Sequence, residues 1–323
     1  MIRWGNYTMK ITVLDGDTLG KDLDLLKLNE VGKACIYGST SLSELHDRIK
    51  DTDVIIVNKL PLNSETLNGA DNLKLICVAA TGYDNIDTKY CASVGIQVSN
   101  VVGYSTNSVA QVTVATVLEL ATHLREYNNA VTSEKYTDSG LANMVAPIFY
   151  ELTGKTWGVV GLGNIGKKVA EIAKAFGCRV IAHKRTPDES YECVSLDTLC
   201  RESDIISIHT PLTAQTRSLI GEKEIALMKK NVILYNAARG AVTDEEAVAE
   251  AIISGYIGAF GSDVFSEEPL PRDNPMFKIA KLPNVCLTPH MAWASSEARN
   301  LCLDEMIENI KGFQKGIRRN AVN

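Results

Sequence analysis

The feature that most constrains the fold is a repeated alternation of short apolar runs with longer amphipathic stretches. This alternation is typical of buried parallel strands connected by crossover helices. Five runs fall within the first hundred residues and six lie beyond residue 150. The runs are 11–14, 34–37, 54–57, 73–78 and 96–99, followed by 156–160, 179–182, 205–209, 232–235, 257–262 and 285–288. The sequence therefore predicts a small α/β domain and a larger, doubly wound α/β domain.

Length and composition agree with two globular domains and exclude several classes of protein. A chain of 323 residues suits two domains of roughly 150 residues each. With 33 Lys and Arg against 39 Asp and Glu, the net charge is −6, so we expect no nucleic-acid partner. No run approaches the ~18 apolar residues of a membrane span. The eight cysteines form no C-x-x-C pair and indicate reduced thiols in a cytoplasmic protein. Residues 1–8 lack the apolar segment of a secretory signal, and we assign them no function.

Two segments lie outside the strand pattern. Residues 105–125 carry apolar side chains at a spacing that predicts one long, largely buried helix. Residues 126–153 have weak periodicity and several aromatic side chains, which is more than a connecting loop needs. They are interpreted either as an arm that packs on another subunit or as a lid.

The strongest local signal is the glycine pattern of residues 161–166. Gly161, Gly163 and Gly166 follow an apolar strand and precede a helical pattern, the context that a dinucleotide-binding loop requires. The first glycine allows a tight turn, the second lets the backbone approach a pyrophosphate, and the third lets helix and strand pack closely. The alternative is a glycine-rich turn without a ligand.

The next strand ends in cationic side chains. NAD-binding domains place an acidic residue at this point to accept hydrogen bonds from the adenosine ribose. Here the strand is followed by Lys184, Arg185 and Thr186 instead. A 2′-phosphate can accept charge-assisted hydrogen bonds from these groups, so NADP is favoured over NAD. The alternative is that these side chains are simply solvated.

Three ionisable residues follow three other strand ends, where open α/β sheets bind ligands. His290 can give a proton to a ketone oxygen, and Arg239 has the planar fork that suits a carboxylate. Glu268 would favour the protonated imidazole and fix its orientation. Each alone could be a solvated side chain, but together beside a dinucleotide loop they indicate a catalytic site. No His, Cys or Asp cluster has the spacing of metal ligands, so we expect no metal.

These spaced motifs resemble the D-isomer-specific 2-hydroxyacid dehydrogenases over nearly the whole chain. The resemblance implies that Arg239, Glu268 and His290 form the catalytic set. It also implies that the backbone amides of Ala80, Thr81 and Gly82, together with Arg239, bind the substrate carboxylate. The cofactor contacts implied are Gly161, Gly163, Asn164, Ile165, Gly166, Lys184, Arg185, Thr186, Thr210, Pro211, Ala237, Ala238, Arg239, Asp263, His290 and Ala292.

The same resemblance implies an organisation in which both chain ends build one domain. Residues 107–291 would form a Rossmann-type dinucleotide-binding domain, with a dimerisation arm at 126–153 and a homodimer as the assembly. Residues 1–106 and 292–323 would form a smaller flavodoxin-like substrate domain. A chain that stops at Asn323 would lack the regulatory domain of many D-3-phosphoglycerate dehydrogenases, so serine feedback is not expected.

Within the family, 108–113 and 290–299 look most like glycerate dehydrogenases, which are hydroxypyruvate and glyoxylate reductases. The resemblance implies NAD(P)H-dependent reduction of a small 2-keto acid to its (R)-2-hydroxy acid. Tyr136 stands near the place where many relatives have an arm tryptophan, so substrate size stays open. One alternative is a D-lactate or branched 2-hydroxyacid dehydrogenase. A second is a non-catalytic, dinucleotide-sensing protein similar to a corepressor.

Overall fold

A computed structural model describes residues 8–323, which form two compact units. Unit 1 combines the described part of Met1–Ser105 with Ala294–Asn323, and unit 2 is the continuous segment Thr106–Trp293. Residues 1–7, for which no function was predicted, lie outside the described residues. Both chain ends thus contribute to one unit.

Unit 1 is built on a five-stranded parallel sheet. The strand order is β2-β1-β3-β4-β5, the order of flavodoxin-like domains. The strands are β1 (Lys10–Val13), β2 (Lys33–Ile36), β3 (Val54–Val57), β4 (Leu75–Val78) and β5 (Gln97–Ser99). All residues of β3 and β4 are buried, which explains why both read as continuous apolar runs.

Three α-helices belong to unit 1: α1 (Leu42–Ile49), α2 (Thr88–Ser93) and α11 (Ser296–Gln314). Short 3₁₀ helices span Gly16–Leu19 and Leu25–Glu30. The C-terminus is fastened to β5, because the Asn323 side chain accepts a hydrogen bond from the Val98 amide and donates one to the Ile96 carbonyl. The last residues of the chain therefore complete the sheet edge.

Unit 2 contains a seven-stranded parallel sheet. Its order, β12-β11-β10-β9-β6-β7-β8, is that of a doubly wound dinucleotide-binding domain. The strands are β6 (Thr156–Val160), β7 (Arg179–His183), β8 (Glu192–Cys193), β9 (Ile205–Ile208), β10 (Ile233–Asn236), β11 (Ala259–Ser262) and β12 (Val285–Leu287). The order reverses between β6 and β9, so the loops after these strands flank the point where such sheets bind ligands.

Helices cover both faces of the unit 2 sheet, and apolar clusters fill both interfaces. A 3₁₀ helix at Gly240–Val242 adds one turn after β10. The helices are α3 (Thr106–Thr122), α4 (Leu124–Thr132), α5 (Lys135–Asp138), α6 (Asn164–Ala175), α7 (Leu196–Glu202), α8 (Glu222–Leu227), α9 (Glu245–Ile253) and α10 (Met276–Ile279).

The structure confirms the two α/β domains and all eleven predicted strands, and it differs from the sequence analysis in two places. The long helix predicted over 105–125 is confirmed for Thr106–Thr122, but it ends there because His123 adopts a left-handed conformation (φ 55°) that separates α3 from α4. The two-residue strand β8 was not predicted, because a strand this short carries no apolar run. Part of the segment 126–153, interpreted as an arm or a lid, is helical.

Three further observations concern the described residues. All eight cysteines are free thiols, and burial raises the pKa of Cys77 and of Cys200 to about 12. No helix within residues 8–323 is both long and apolar enough to cross a membrane. In the same range no group of three His, Cys, Asp or Glu side chains is arranged to hold a metal ion.

Candidate active site

The loop between β6 and α6 contains the three glycines of the predicted dinucleotide site. Gly161 has φ +94°, and a Cβ there would lie 2.7 Å from the His209 carbonyl carbon and the Thr210 nitrogen. A Cβ on Gly166 would lie 2.1 Å from the Gly161 oxygen. Both positions therefore require glycine, for the turn and for the packing of α6 against β6.

Gly163 differs from the other two glycines because no protein atom would touch a Cβ there within 4 Å. It caps the N-terminus of α6 in an extended conformation and faces open space. Asn164 is exposed and Ile165 is half-buried in the first turn of the helix. Free backbone donors at a helix N-terminus beside an uncovered glycine fit a pyrophosphate, so the loop suits a dinucleotide.

Thr210 and Pro211 follow β9, on the other side of the point where the strand order reverses. Thr210 is half-buried and Pro211 is exposed. The close approach of Gly161 to the backbone of residues 209 and 210 places this loop directly beside the glycine loop. The structure thus brings together these two predicted cofactor segments.

The cationic residues after β7 surround a carboxylate that sequence reasoning missed. Lys184 is half-buried, while Arg185 and Thr186 are exposed. The Asp188 carboxylate lies 4.0 Å from Lys184 Nζ and 2.7 Å from Lys167 Nζ. The hydrogen bond from Lys167 and the Ser190 backbone amide lower the pKa of Asp188. An acidic side chain is therefore present at this end of the sheet, although the strand end itself has none.

The loop after β10 holds Arg239 through its backbone. The Asn236 side chain accepts a hydrogen bond from the Ala238 amide at 3.0 Å and donates one to the Arg239 carbonyl at 2.9 Å. A Cβ on Gly240 would lie 1.9 Å from the Phe265 carbonyl carbon. The Arg239 loop and the Glu268 loop thus pack backbone to backbone. Ala237, Ala238 and Arg239 are all half-buried at the end of the strand.

Glu268 and His290 are directly paired. His290 Nδ1 lies 2.6 Å from Glu268 Oε2, and the side chains are 20% and 27% exposed. The other carboxylate oxygen, Oε1, accepts a hydrogen bond from the Phe265 amide at 3.1 Å. The carboxylate therefore orients the imidazole ring through its Nδ1.

Asp263 holds the turn that carries His290. Its buried carboxylate accepts hydrogen bonds from the Thr288 hydroxyl at 2.6 Å and from the Met291 and Ala292 amides at 2.9 Å. Burial raises the pKa of Asp263, and the hydrogen bond from Thr288 opposes that rise. His290 itself adopts φ 53°, a conformation that needs outside support in a non-glycine residue. Asp263, predicted as a cofactor contact, is thus also the buried residue that holds the turn of His290.

Glu245, in the first turn of α9, is a further residue that sequence reasoning missed. Its carboxylate accepts hydrogen bonds from the Ser266 amide at 2.7 Å, the Ser266 hydroxyl at 2.6 Å and the Asn274 side chain at 2.7 Å. Ser266 lies two residues before Glu268. Glu245 therefore fixes the segment that leads to Glu268.

The predicted carboxylate-binding loop of Ala80, Thr81 and Gly82 lies in unit 1, after β4. The Thr81 hydroxyl donates to the Val101 carbonyl at 2.8 Å, and the Thr81 carbonyl accepts from the Asn100 side chain at 2.7 Å. The Val101 amide donates to the Ala80 carbonyl at 3.0 Å. The loop is thereby tied to the end of β5. Its role in substrate binding stays a prediction.

A doubly wound domain with a dinucleotide loop and a paired histidine and carboxylate defines an oxidoreductase of the dehydrogenase class. Residues 114–292, more than half of the chain, match the family "D-isomer specific 2-hydroxyacid dehydrogenase, NAD binding domain". The chain belongs to the D-isomer-specific 2-hydroxyacid dehydrogenases, as the sequence resemblance implied. The matched residues 114–292 lie within unit 2.

The similarity to known proteins extends over nearly the full chain. It is 36% identical over 324 residues to "Hydroxypyruvate reductase" of Blautia hydrogenotrophica, covering 98% of this chain and 100% of that protein. It is 35% identical over 316 residues to "Glycerate dehydrogenase" of Methylorubrum extorquens, covering 98% and 99%. Among solved structures, "Acyclic imino acid reductase (Bsp5) in complex with NADPH and D-Arg" superposes with a TM-score of 0.85, at 31% identity over 98% of this chain and 100% of that chain.

Proposed function

We propose that this protein reduces a small 2-keto acid, preferably hydroxypyruvate or glyoxylate, to the (R)-2-hydroxy acid at the expense of a reduced nicotinamide dinucleotide. The observation that carries the proposal is the 2.6 Å pair between Glu268 and His290, within the same unit as the glycine loop. The names of the two relatives, a hydroxypyruvate reductase and a glycerate dehydrogenase, support the choice of substrate.

The proposed chemistry assigns one task to each residue. The dinucleotide, when bound at the 161–166 loop, supplies the hydride. The Arg239 guanidinium binds the substrate carboxylate, and its fixed fork orients the neighbouring carbonyl. His290, protonated on both ring nitrogens, gives the Nε2 proton to the carbonyl oxygen and is left neutral. Glu268 accepts the Nδ1–H hydrogen bond throughout and so keeps Nε2 directed at the reacting oxygen.

A variant at His290 tests this assignment. We expect His290→Ala to lose most of its turnover of hydroxypyruvate while it still binds the dinucleotide, because the imidazole supplies the proton. Removing a general acid typically lowers the rate about 10²–10⁴-fold. The matched control is His46→Ala, an exposed histidine in unit 1. An unimpaired His290 variant would overturn the mechanism.

A panel of 2-keto acids tests the substrate. Hydroxypyruvate, glyoxylate, pyruvate and a branched 2-keto acid are compared by kcat/KM with NADPH and with NADH. We expect hydroxypyruvate or glyoxylate to have the highest kcat/KM. A preference for pyruvate or the branched acid would favour the D-lactate or branched alternative. No turnover of any keto acid would favour a protein that only senses the dinucleotide.

We further propose that NADPH is preferred to NADH. The support is the cationic end of β7, where Lys184 and Arg185 replace the expected acidic residue, together with a structural neighbour described as bound to NADPH. Lys184→Asp should weaken NADPH more than NADH. An unchanged ratio of their kcat/KM values would contradict a 2′-phosphate pocket at this place.

The proposed assembly is a homodimer in which residues 126–153 of one copy pack on a second copy. In this segment Val145, Ile148 and Tyr150 are 76%, 69% and 69% exposed. Beside them lies an open recess of about 370 Å³ lined by Tyr127, Met144, Val145, Ile148 and Phe149. So much exposed apolar surface on one short segment indicates an interface between proteins.

The assembly is measured by analytical ultracentrifugation. Ile148→Asp should dissociate the dimer, whereas Ile253→Asp, at the end of α9 and 60% exposed, should not. A monomeric unchanged protein would contradict the proposal. The proposal also places the protein in the reducing cytoplasm, and the eight free thiols support this location.

A further inference from the structure

The Asp188 side chain occupies the centre of the cationic group at the end of β7. Its Oδ2 lies 2.7 Å from Lys167 Nζ and 4.0 Å from Lys184 Nζ. Lys167 lies in the first turns of α6, beside the glycine loop, and Lys184 directly follows β7. The carboxylate thus stands between two lysines that belong to the two elements framing the adenosine end of a doubly wound domain.

The position of this carboxylate is fixed by the local backbone. The Asp188 amide donates to Cys193 Sγ at 3.3 Å, and the Cys193 thiol donates to the Asp188 carbonyl at 3.6 Å. The same carbonyl accepts from the Tyr191 amide at 3.0 Å, and Oδ1 accepts from the Ser190 amide at 3.1 Å. The Asp188 side chain is only 16% exposed, so the surrounding protein determines its position beside the two lysines.

The charges around the Asp188 carboxylate determine how this site interacts with a 2′-phosphate. Two ammonium groups and one carboxylate leave a net charge of +1 at this place, to which the exposed Arg185 adds a second positive charge. A 2′-phosphate that approaches Lys184 must also approach Asp188, because the two side chains are in contact. Like charges at a few ångströms repel, whereas the uncharged 2′-hydroxyl of NADH meets no such repulsion.

We propose that Asp188 is a cofactor-selectivity residue: as the built-in counter-ion of Lys184 and Lys167, it reduces the preference for a dinucleotide that carries a 2′-phosphate. The inference rests on the proposed NADPH preference and sharpens it, since Lys184 attracts the phosphate and Asp188 limits that attraction. The preference for NADPH is then moderate, and NADH remains a usable cofactor.

The test is Asp188→Asn, with dissociation constants of NADPH and NADH measured by fluorescence titration on the full chain at low salt. Asparagine keeps an oxygen that can accept the Ser190 amide, so the loop is retained while the charge is removed. We expect NADPH to bind about fivefold more tightly and NADH to change by less than about twofold. The matched control is Glu189→Gln, which removes the same charge from the exposed neighbouring residue and should change neither constant.

Lys184→Ala separates failure of this inference from failure of the proposed preference. If Lys184→Ala weakens NADPH selectively and Asp188→Asn changes nothing, the inference about Asp188 is wrong and the phosphate pocket stands. If Lys184→Ala leaves the NADPH to NADH ratio unchanged, both are wrong. If Asp188→Asn instead weakens NADH, then Asp188 binds the ribose hydroxyl and the counter-ion role is overturned. An equal effect of Glu189→Gln would show that the change in affinity follows from net charge alone. That outcome would also overturn the counter-ion role of Asp188.

Discussion

Nδ1 of His290 lies 2.6 Å from Oε2 of Glu268, and the backbone amide of Phe265 donates a hydrogen bond to the other oxygen of that carboxylate. The imidazole is therefore oriented by a carboxylate that is itself held in place. The ring is thus held with Nδ1 toward Glu268, the orientation that the proposed proton donation from Nε2 requires.

Glu268→Gln should separate the charge of this residue from its hydrogen bond. Glutamine can still accept the Nδ1–H bond, but it removes the negative charge beside the ring. We expect kcat for keto-acid reduction to fall about 10–100-fold, with little change in the dissociation constant of the dinucleotide. An unchanged kcat would contradict a role for the carboxylate charge.

Gly163→Ala should separate folding from dinucleotide binding. No protein atom lies within 4 Å of the added Cβ, so thermal stability should change little. A pyrophosphate that approaches this backbone would meet the methyl group, and we expect the dissociation constant of the dinucleotide to rise about tenfold or more. Gly221→Ala is the control, because Gly221 caps α8 in a similar extended conformation. Unchanged affinity in Gly163→Ala would contradict the proposed position of the cofactor.

Asp263→Asn should destabilise the turn that carries His290. The carboxylate accepts three hydrogen bonds, and an amide in its place turns an NH₂ group toward at least one donor. We expect a loss of about 2–4 kcal/mol in the free energy of unfolding, measured in urea, and a fall in kcat. Thr288→Val removes only one of the three bonds and should cost about 1 kcal/mol. Equal losses in the two variants would show that the backbone bonds contribute little.

Glu245→Gln should lower turnover although Glu245 touches no proposed substrate group. Its carboxylate accepts from both the amide and the hydroxyl of Ser266, and the substitution disturbs the segment leading to Glu268. We expect a several-fold loss of kcat with little change in the affinity for the dinucleotide. The adjacent Glu246→Gln breaks only an exposed ion pair with Lys278 and should leave kcat unaltered. Similar kinetics for the two variants would exclude the positioning role.

His209 should make stability dependent on pH below neutrality. Both ring nitrogens are buried without a hydrogen-bond partner among the described residues, and burial lowers the pKa of His209 to about 3. Between pH 6.5 and 3 the unfolded chain binds one more proton than the folded chain, so acidification destabilises the fold. At pH 5 the resulting loss in the free energy of unfolding, relative to neutral pH, is about 2 kcal/mol. In His209→Gln the free energy of unfolding should fall correspondingly less between pH 7 and pH 5, whereas His46→Gln should behave like the unchanged protein.

The strands, their parallel pairing and the residues at their carboxyl ends could be predicted, because apolar runs and glycine spacing are local signals. The sequence alone therefore places Arg239, Glu268 and His290 after strand ends, while their catalytic roles stay a prediction. The break at His123 could not be predicted, since apolar residues continue on both sides and the left-handed residue carries no pattern of its own.

The roles of Asp188 and Glu245 were hidden for a different reason. Asp188 meets Lys167 of α6 from the loop after β7, and Glu245 meets Ser266 across 21 residues of chain. Both are tertiary contacts of ordinary surface-type residues. Charged side chains in a helix cap or a polar loop give no sign in the sequence of the partner that they will find.

Unit 1 is interrupted in the chain by the whole of unit 2, and this has a consequence for synthesis on the ribosome. The segment up to Ser105 emerges first but lacks α11 and the C-terminal residues that fasten β5. At ribosomal rates of about 5–20 residues per second, roughly 10–40 s pass before Ala294 is made. During that interval the sheet of unit 1 lacks its C-terminal elements, whereas the continuous unit 2 can fold as it emerges. Unit 1 is thus the part of the molecule that exposes apolar sheet surface longest during synthesis.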